Sequence, residues 1–258
     1  MKTIFNVILH KPLFNLLLVF ILFIPGNNLG LAVILLTLLV KLVLSPFSYK
    51  ALVSQIKNKK IQPIIDQIKK DHPDDKQLQS QKQLEIYQKL KVNPFSGCIP
   101  TIVQIVVVLA LYSLLREGFV LQENLLYHFL TLPTTVNMHF LGIADINTPS
   151  AVLAVLAGVF QYIQVWLSPA FKKDKKKEEE VKDKKDMGPM DMMQSQMGVF
   201  VKYIMPGMVV VFGFMFPAAL VLYWITNTVF TIGQELVIKS RLKTIEDDID
   251  LRLKEYNL

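Results

Sequence analysis

Lys41 stands inside an apolar run that begins at Leu29 and ends at Pro46, with Thr37 four residues before it and Ser45 four after. At helical spacing these three share one face. Similar polar sets recur in other apolar runs: Thr101, Gln104 and Tyr112; Gln161, Gln164 and Ser168; Tyr223, Asn227, Thr231 and Gln234. Hydroxyls, amides and one ammonium can bind and hydrate, but they do not make a nucleophile with its base. Taken singly, each neutral residue is accounted for by helix-to-helix hydrogen bonding, worth about 0.6–2 kcal/mol in lipid. Lys41 is harder to place, because a lysine at the centre of a hydrocarbon layer costs about 2.5–3.5 kcal/mol on insertion scales. No Asp or Glu stands in the core of any apolar run, and Glu235 falls only near the end of the last. Two readings stay open. The lysine stem carries its ammonium to nearby head groups, since Pro46 is only five residues on, or water reaches the amine through a cavity. The second predicts a hydrated cavity entered from the cytoplasmic side.

Other chemistry is poorly provided for. The four histidines (His10, His72, His128, His139) are scattered, there is no glycine-rich phosphate loop, and no metal-ligand spacing is present. Catalytic residues, cofactor and metal are therefore expected to be none, and the chain does not read as an enzyme. An ion-coupled transporter would place acids or broken helices near the bilayer midplane, with repeats. Neither acid nor repeat is evident, although a small-molecule or lipid transporter using the same polar interior stays as the rival reading. The lone Cys98 forbids an intrachain disulfide.

The elements that must position these residues are apolar helices. Of the 258 residues 52% are hydrophobic and the mean hydropathy is +0.39, and the apolar content falls into blocks at 29–46, 98–116, 150–168, 199–216 and 217–238. Each is long enough to cross a hydrocarbon core of roughly 30 Å at about 1.5 Å per residue. Backbone amides inside lipid must bond within their own segment, and continuous apolar runs exclude the alternation of barrel strands. The fold class expected is all-α, a polytopic membrane protein with a five-helix transmembrane core.

Orientation follows from the basic residues. Lys50, Lys57, Lys59, Lys60, Lys69, Lys70, Lys76, Lys82, Lys89 and Lys91 all fall in 47–97, more lysines fall in 169–198, and the connection 117–149 has neither Lys nor Arg. Positive loops stay cytoplasmic, so the first span runs from outside to inside and the tail, 239–258, is cytoplasmic. The net charge of +7 is explained by this bias and by attraction to anionic lipid, without specific DNA binding.

Residues 1–28 are expected to form an interfacial helix on the outer face, with an extra span as the alternative; no signal-peptide cleavage site follows. Residues 47–97 read as a helical hairpin turning at Asp71-His72-Pro73-Asp74-Asp75, with a thin apolar stripe that implies loose packing. The hairpin is either a solvated connector or a capture device for substrate. Residues 169–198 combine a charged run, read as a linker too polar to fold, with a methionine cluster. The connection 117–149 is expected on the membrane surface, and the tail has Ile238, Leu242, Ile245, Ile249 and Leu253 at helical spacing.

The run Val92-Asn93-Pro94-Phe95-Ser96-Gly97-Cys98-Ile99-Pro100, with Gln104 and Leu111-Tyr112 after it, resembles the YidC/Oxa/Albino family of membrane protein insertases. Lys11-Pro12-Leu13-Phe14, Asn28-Leu29-Gly30 and Phe216-Pro217-Ala218-Ala219-Leu220-Val221-Leu222-Tyr223-Trp224 with Asn227 match in order and spacing. The resemblance covers about residues 5 to 238. It implies a short bacterial form without the large extracytoplasmic domain, in which a hydrophilic groove opens to the cytoplasm and to lipid. It also implies insertion and folding of short-tailed membrane proteins, alone or with the Sec translocon. By position, Lys41 falls where the family generally has a groove arginine, and Thr37, Gln104, Tyr223, Asn227 and Thr231 become groove residues. Lysine keeps that charge but gives up the planar fork of donors. The partners implied are nascent membrane proteins and the bilayer, with the ribosome and the translocon left open. The molecule is expected to be a monomer in the bacterial plasma (inner) membrane.

Overall fold

The computed structural model of the protein describes residues 10–93, 99–117, 125–168 and 200–255. The Pro94 to Cys98 part of the motif and the whole of 169–198, with its charged run and methionines, lie outside the described residues. The chain is mostly helical: α1 (Lys11–Phe23), α2 (Leu29–Asp71), α3 (Lys76–Lys89), α4 (Ile99–Glu117), α5 (Ala151–Leu167), α6 (Met205–Met215, entered through a π-helical turn at Phe200–Ile204), α7 (Ala218–Ser240) and α8 (Leu242–Glu255). Two short strands, β1 (His139–Phe140) and β2 (Ala144–Asp145), pair antiparallel between α4 and α5. The connection expected on the membrane surface carries this small hairpin.

Two compact units are formed, one from residues 1–45, 102–164 and 205–231, the other from 46–101, 165–204 and 232–258. In the first unit a single core collects Phe14, Leu17, Leu18 and Ile21 of α1, Leu29, Ala32 and Leu36 of α2, Ala110 and Leu111 of α4, Leu153 and Ala157 of α5, Val209 of α6 and Ala218 to Tyr223 of α7. The helices of this unit also carry a second, outward apolar face. Leu31, Leu35 and Leu39 of α2, Ile102, Ile105 and Leu109 of α4, Val152, Val155 and Val159 of α5, and Val211 and Phe214 of α6 are all exposed. An apolar surface of that extent is untenable in water and natural in lipid.

α1 starts with Pro12 in its first turn, where the missing amide hydrogen costs nothing, and its inward face is buried in the core of the first unit. Asn15 is buried on that face with its amide satisfied: Nδ2 donates to Lys11 O and to Leu125 O, each at 2.7 Å, and Oδ1 accepts from Tyr127 N at 2.8 Å. α1 is thereby fastened to the connection ahead of β1.

That connection also holds the N-terminal ends of α2 and α7. Asn137 O accepts from Leu29 N, Asn28 Nδ2 donates to His139 O, and Thr148 O and Ile146 O accept from Ala218 N and Ala219 N. Helix starts leave four amide hydrogens without partners, and here loop carbonyls supply several of the acceptors. Gly30 is required at this junction, because a Cβ there would overlap the side chains of Phe140 and Ile146. A further close approach joins α5 to α6, where a Cβ on Gly213 would meet the Ala154 backbone and one on Gly158 would meet Val210. Ala154 and Gly158, four apart, form the small-residue spacing that lets membrane helices touch backbone to backbone.

In the second unit α2 continues past Pro46 and Pro63 without a break, so the first hairpin arm is the same helix that begins at Leu29. Each internal proline removes one backbone bond; beside Pro63 the buried Ile61 and Ile65 hold the helix against its neighbours. The hairpin turns as expected: Asp75 caps α3, its Oδ1 accepting from Leu78 N at 2.8 Å. It is not a loose hairpin, however. Ile61, Ile65, Ile86, Tyr87, Leu90 and Val92 are buried together with Ile249 of α8, and Ile245 of α8 is buried with Ile56 and Ile238. The tail supplies the half of the apolar seam that the hairpin lacks. Lys57 Nζ to Asp248 Oδ2 at 2.6 Å and Lys60 Nζ to Asp250 Oδ2 at 3.2 Å flank that seam. The Lys57 ammonium, through its hydrogen bond, holds the Asp248 carboxyl below the usual carboxylate range.

Candidate functional site

The six residues singled out from the sequence all belong to the first unit, and they come from three helices: α2 (Thr37, Lys41), α4 (Gln104) and α7 (Tyr223, Asn227, Thr231). Positions 223, 227 and 231 follow one another at four-residue spacing, so α7 presents them on a single face. Lys41 Nζ donates to Thr231 Oγ1 at 3.1 Å, and the Thr231 hydroxyl in turn donates to Asn227 O at 2.8 Å. A threonine hydroxyl has one hydrogen and two lone pairs, and both functions are used. Among the described residues the amine has no carboxylate partner; its fixed neighbour is a neutral hydroxyl.

Farther along α7, Tyr223 is buried and makes side-chain contact with Gln104 of α4. Two atoms beside these contacts are buried with no hydrogen-bond partner among the described residues: Gln104 Nε2, a donor, and Asn227 Oδ1, an acceptor. Buried polar atoms are nearly always satisfied in folded proteins, and exceptions mark places where water or a guest is expected. The arrangement offers one positive charge, one free amide donor and one free amide acceptor along α7. It can bind peptide groups and carboxylates.

Thr37 stands one turn before Lys41 on α2. Its side chain is 2% exposed, and its hydroxyl donates to Val33 O at 2.6 Å, one turn back on its own helix. It contributes packing and a local bond and leaves its hydrogen unavailable. Gln161, read from the sequence only as part of a polar stripe, is a structural tie. Trp224 Nε1 donates to Gln161 Oε1 at 3.0 Å, and Gln161 Nε2 donates to Gln164 Oε1 at 3.0 Å, which fastens α7 to α5 among apolar side chains. An indole N–H in such surroundings needs an acceptor, and that need was the available signal. Gln234 and Ser168 fall in the second unit. The side chain of Thr101 lies outside the described residues.

The same residues fall within a match to a known family. The family model of the 60Kd inner membrane protein matches residues 20–246. The chain belongs to that family. It is the YidC/Oxa/Albino group which the sequence motifs resemble. Among curated relatives, the membrane protein insertase YidC of Francisella tularensis subsp. novicida is 35% identical over 215 residues, which cover 82% of this chain and 32% of that protein. The membrane protein insertase YidC of Francisella philomiragia subsp. philomiragia is 34% identical over the same length and shares. The chain thus spans about a third of the length of the curated relatives it matches. The matched span contains all six candidate residues, together with the hairpin and the first turn of the tail helix.

Proposed function

We propose that this protein is a membrane protein insertase that receives short-tailed membrane proteins in a hydrated groove lined by Lys41, Gln104, Tyr223, Asn227 and Thr231. The single observation that carries the reading is the Lys41 amine: it lies between apolar helices, bonded to the neutral Thr231 hydroxyl, on a unit whose outward helix faces are apolar and exposed. Such a charge is sustainable only where water or a guest's polar groups reach it. Membership of the family, and the insertase names its curated relatives bear, supply the class of guest.

In this reading the spans lie at 29–46, 98–116, 150–168, 199–216 and 217–238, with the hairpin 47–97, the loop 169–198 and the tail in the cytoplasm of a bacterial cell. α1 and the β1–β2 connection stand at the outer face, and the molecule acts as a monomer. A nascent apolar segment arrives at the cytoplasmic side, with the ribosome or the Sec translocon as optional partners. Its polar flank enters the groove, where Lys41 attracts acidic groups and the free atoms of Gln104 and Asn227 bond peptide groups. The groove shortens the path over which polar residues face lipid, so the barrier falls without covalent chemistry. The apolar segment leaves sideways into the bilayer, and the membrane potential helps draw negative flanks outward.

The test is insertion of a short-tailed client with an acidic flank into liposomes containing the purified protein. Lys41→Ala is expected to lower the initial rate roughly tenfold, the equivalent of about 1.4 kcal/mol, and Lys41→Arg to preserve it. An unchanged rate with a normally folded Lys41→Ala protein would reject the role given to the lysine.

A further inference from the structure

The turn between β1 and β2 combines two features that do not help a protein in water. Leu141 has φ of +50° and Gly142 of +71°, and Ile143 N donates to Phe140 O at 2.9 Å. Turns with positive φ at both central residues are normally filled by Asn-Gly or Asp-Gly, because a bulky side chain at the first position strains the backbone. Leucine occupies it here. That side chain is also 68% exposed, and Ile143 beside it is 54% exposed. Neither packs on the core, whereas Phe140, one residue earlier, is buried. A strained residue that gains no burial within its own fold points to a contact outside it.

The position of the turn identifies the contact. Residues 137–148 are bonded directly to the N-terminal ends of α2 and α7, so the turn stands at the level where apolar helices begin. The outward apolar face of α5 starts at Val152, a few residues on. The connection 117–149 carries no Lys or Arg, so it offers nothing to anionic head groups. An uncharged apolar tip at that level suits the boundary between head groups and acyl chains, where aliphatic side chains gain by leaving water.

We propose that the Leu141-Gly142-Ile143 turn is a lipid-inserting finger. It seats its two aliphatic side chains in the outer leaflet and thereby fixes the depth of the β1–β2 cap over the helix ends. The inference rests on the reading of the first unit as membrane-embedded.

Single cysteines introduced as Leu141→Cys, Ile143→Cys and Val155→Cys into a Cys98→Ser protein would carry an environment-sensitive fluorophore in phosphatidylcholine vesicles. Lipids bearing a nitroxide either near the head-group end or near the far end of the acyl chain serve as quenchers. The label at 141 or 143 is expected to lose more emission to the shallow nitroxide than to the deep one, while resisting aqueous iodide. The label at Val155 is expected to be quenched by lipid at greater depth. If 155 is quenched by lipid and both turn positions respond only to iodide, the finger is wrong and the membrane reading stands. If none of the three is quenched by lipid, the membrane reading itself fails. Turn labels protected from both lipid and iodide would show a protein surface covering the turn, which also overturns the proposal.

Discussion

At the scale of single residues, the energetic anomalies were the informative ones. Lys41 was legible because an ammonium among apolar residues has a cost that few arrangements meet. Its partner, Thr231, is 190 residues away and could be named only as one of several polar positions on α7. Thr37 makes a local bond. A threonine inside a helix readily turns its hydroxyl to the carbonyl one turn back, and the bond to Val33 O follows that habit. Leu141 raised no signal in the sequence, since only the backbone reveals its positive φ. That geometry makes a distinct prediction: Leu141→Asn relieves strain at a position asparagine accepts readily. It is expected to raise stability in detergent, where no leaflet rewards the leucine, by about 1 kcal/mol, measured as a shift in thermal midpoint. A loss of stability there would mean that the leucine packs against the protein.

At the scale of elements, the apolar runs announced α5 and α7 almost to their ends, because burial and hydrogen bonding in lipid leave a helix no alternative. The hairpin was read as loose because its own stripe is thin, and the missing side chains come from Ile245 and Ile249 at the far end of the chain. Sequence patterning shows that a face is apolar, not which distant face covers it. The Asp248 carboxyl, held low by Lys57, adds a pH dependence to that docking. A carboxyl whose folded pKa is depressed contributes above its unfolded value of about 4 and loses the contribution as pH falls through the folded value. Protection of the amides across 242–255, taken relative to the intrinsic exchange rate at each pH, is therefore expected to fall below about pH 4. The Asp248 side chain is 44% exposed, so the effect is small, within about 1 kcal/mol, and Asp248→Asn should remove part of it. Protection that is the same above and below that pH in both proteins would assign the docking to the isoleucine seam alone. The α5–α6 contact carries the sharper prediction. Gly213→Leu drives a side chain into the Ala154 backbone and is expected to cost about 1–3 kcal/mol, read as a lower unfolding midpoint in detergent; no loss would mean that the two helices part easily.

At the scale of the whole molecule, the account joins a distribution of charge to a distribution of water. Basic residues fall in 47–97, 169–198 and the tail, and none falls in 117–149, which sets the proposed direction of every span. Apolar side chains cover the outward helix faces of the first unit, while a cation, a free amide donor and a free amide acceptor are enclosed. If water fills that enclosure from the cytoplasmic side, a client's polar flank meets an aqueous path part of the way across; if it does not, the polar residues only bind helices together. The most direct measurement compares two neighbouring positions in sealed vesicles, using a Cys98→Ser protein with either Lys41→Cys or Leu39→Cys and a membrane-impermeant maleimide. Leu39 belongs to the exposed apolar face and serves as the lipid-facing reference. The account predicts that position 41 reacts when the reagent is on the cytoplasmic side and that position 39 stays protected. Protection of position 41 to the same degree as position 39, with both reacting once the vesicles are dissolved in detergent, would contradict it.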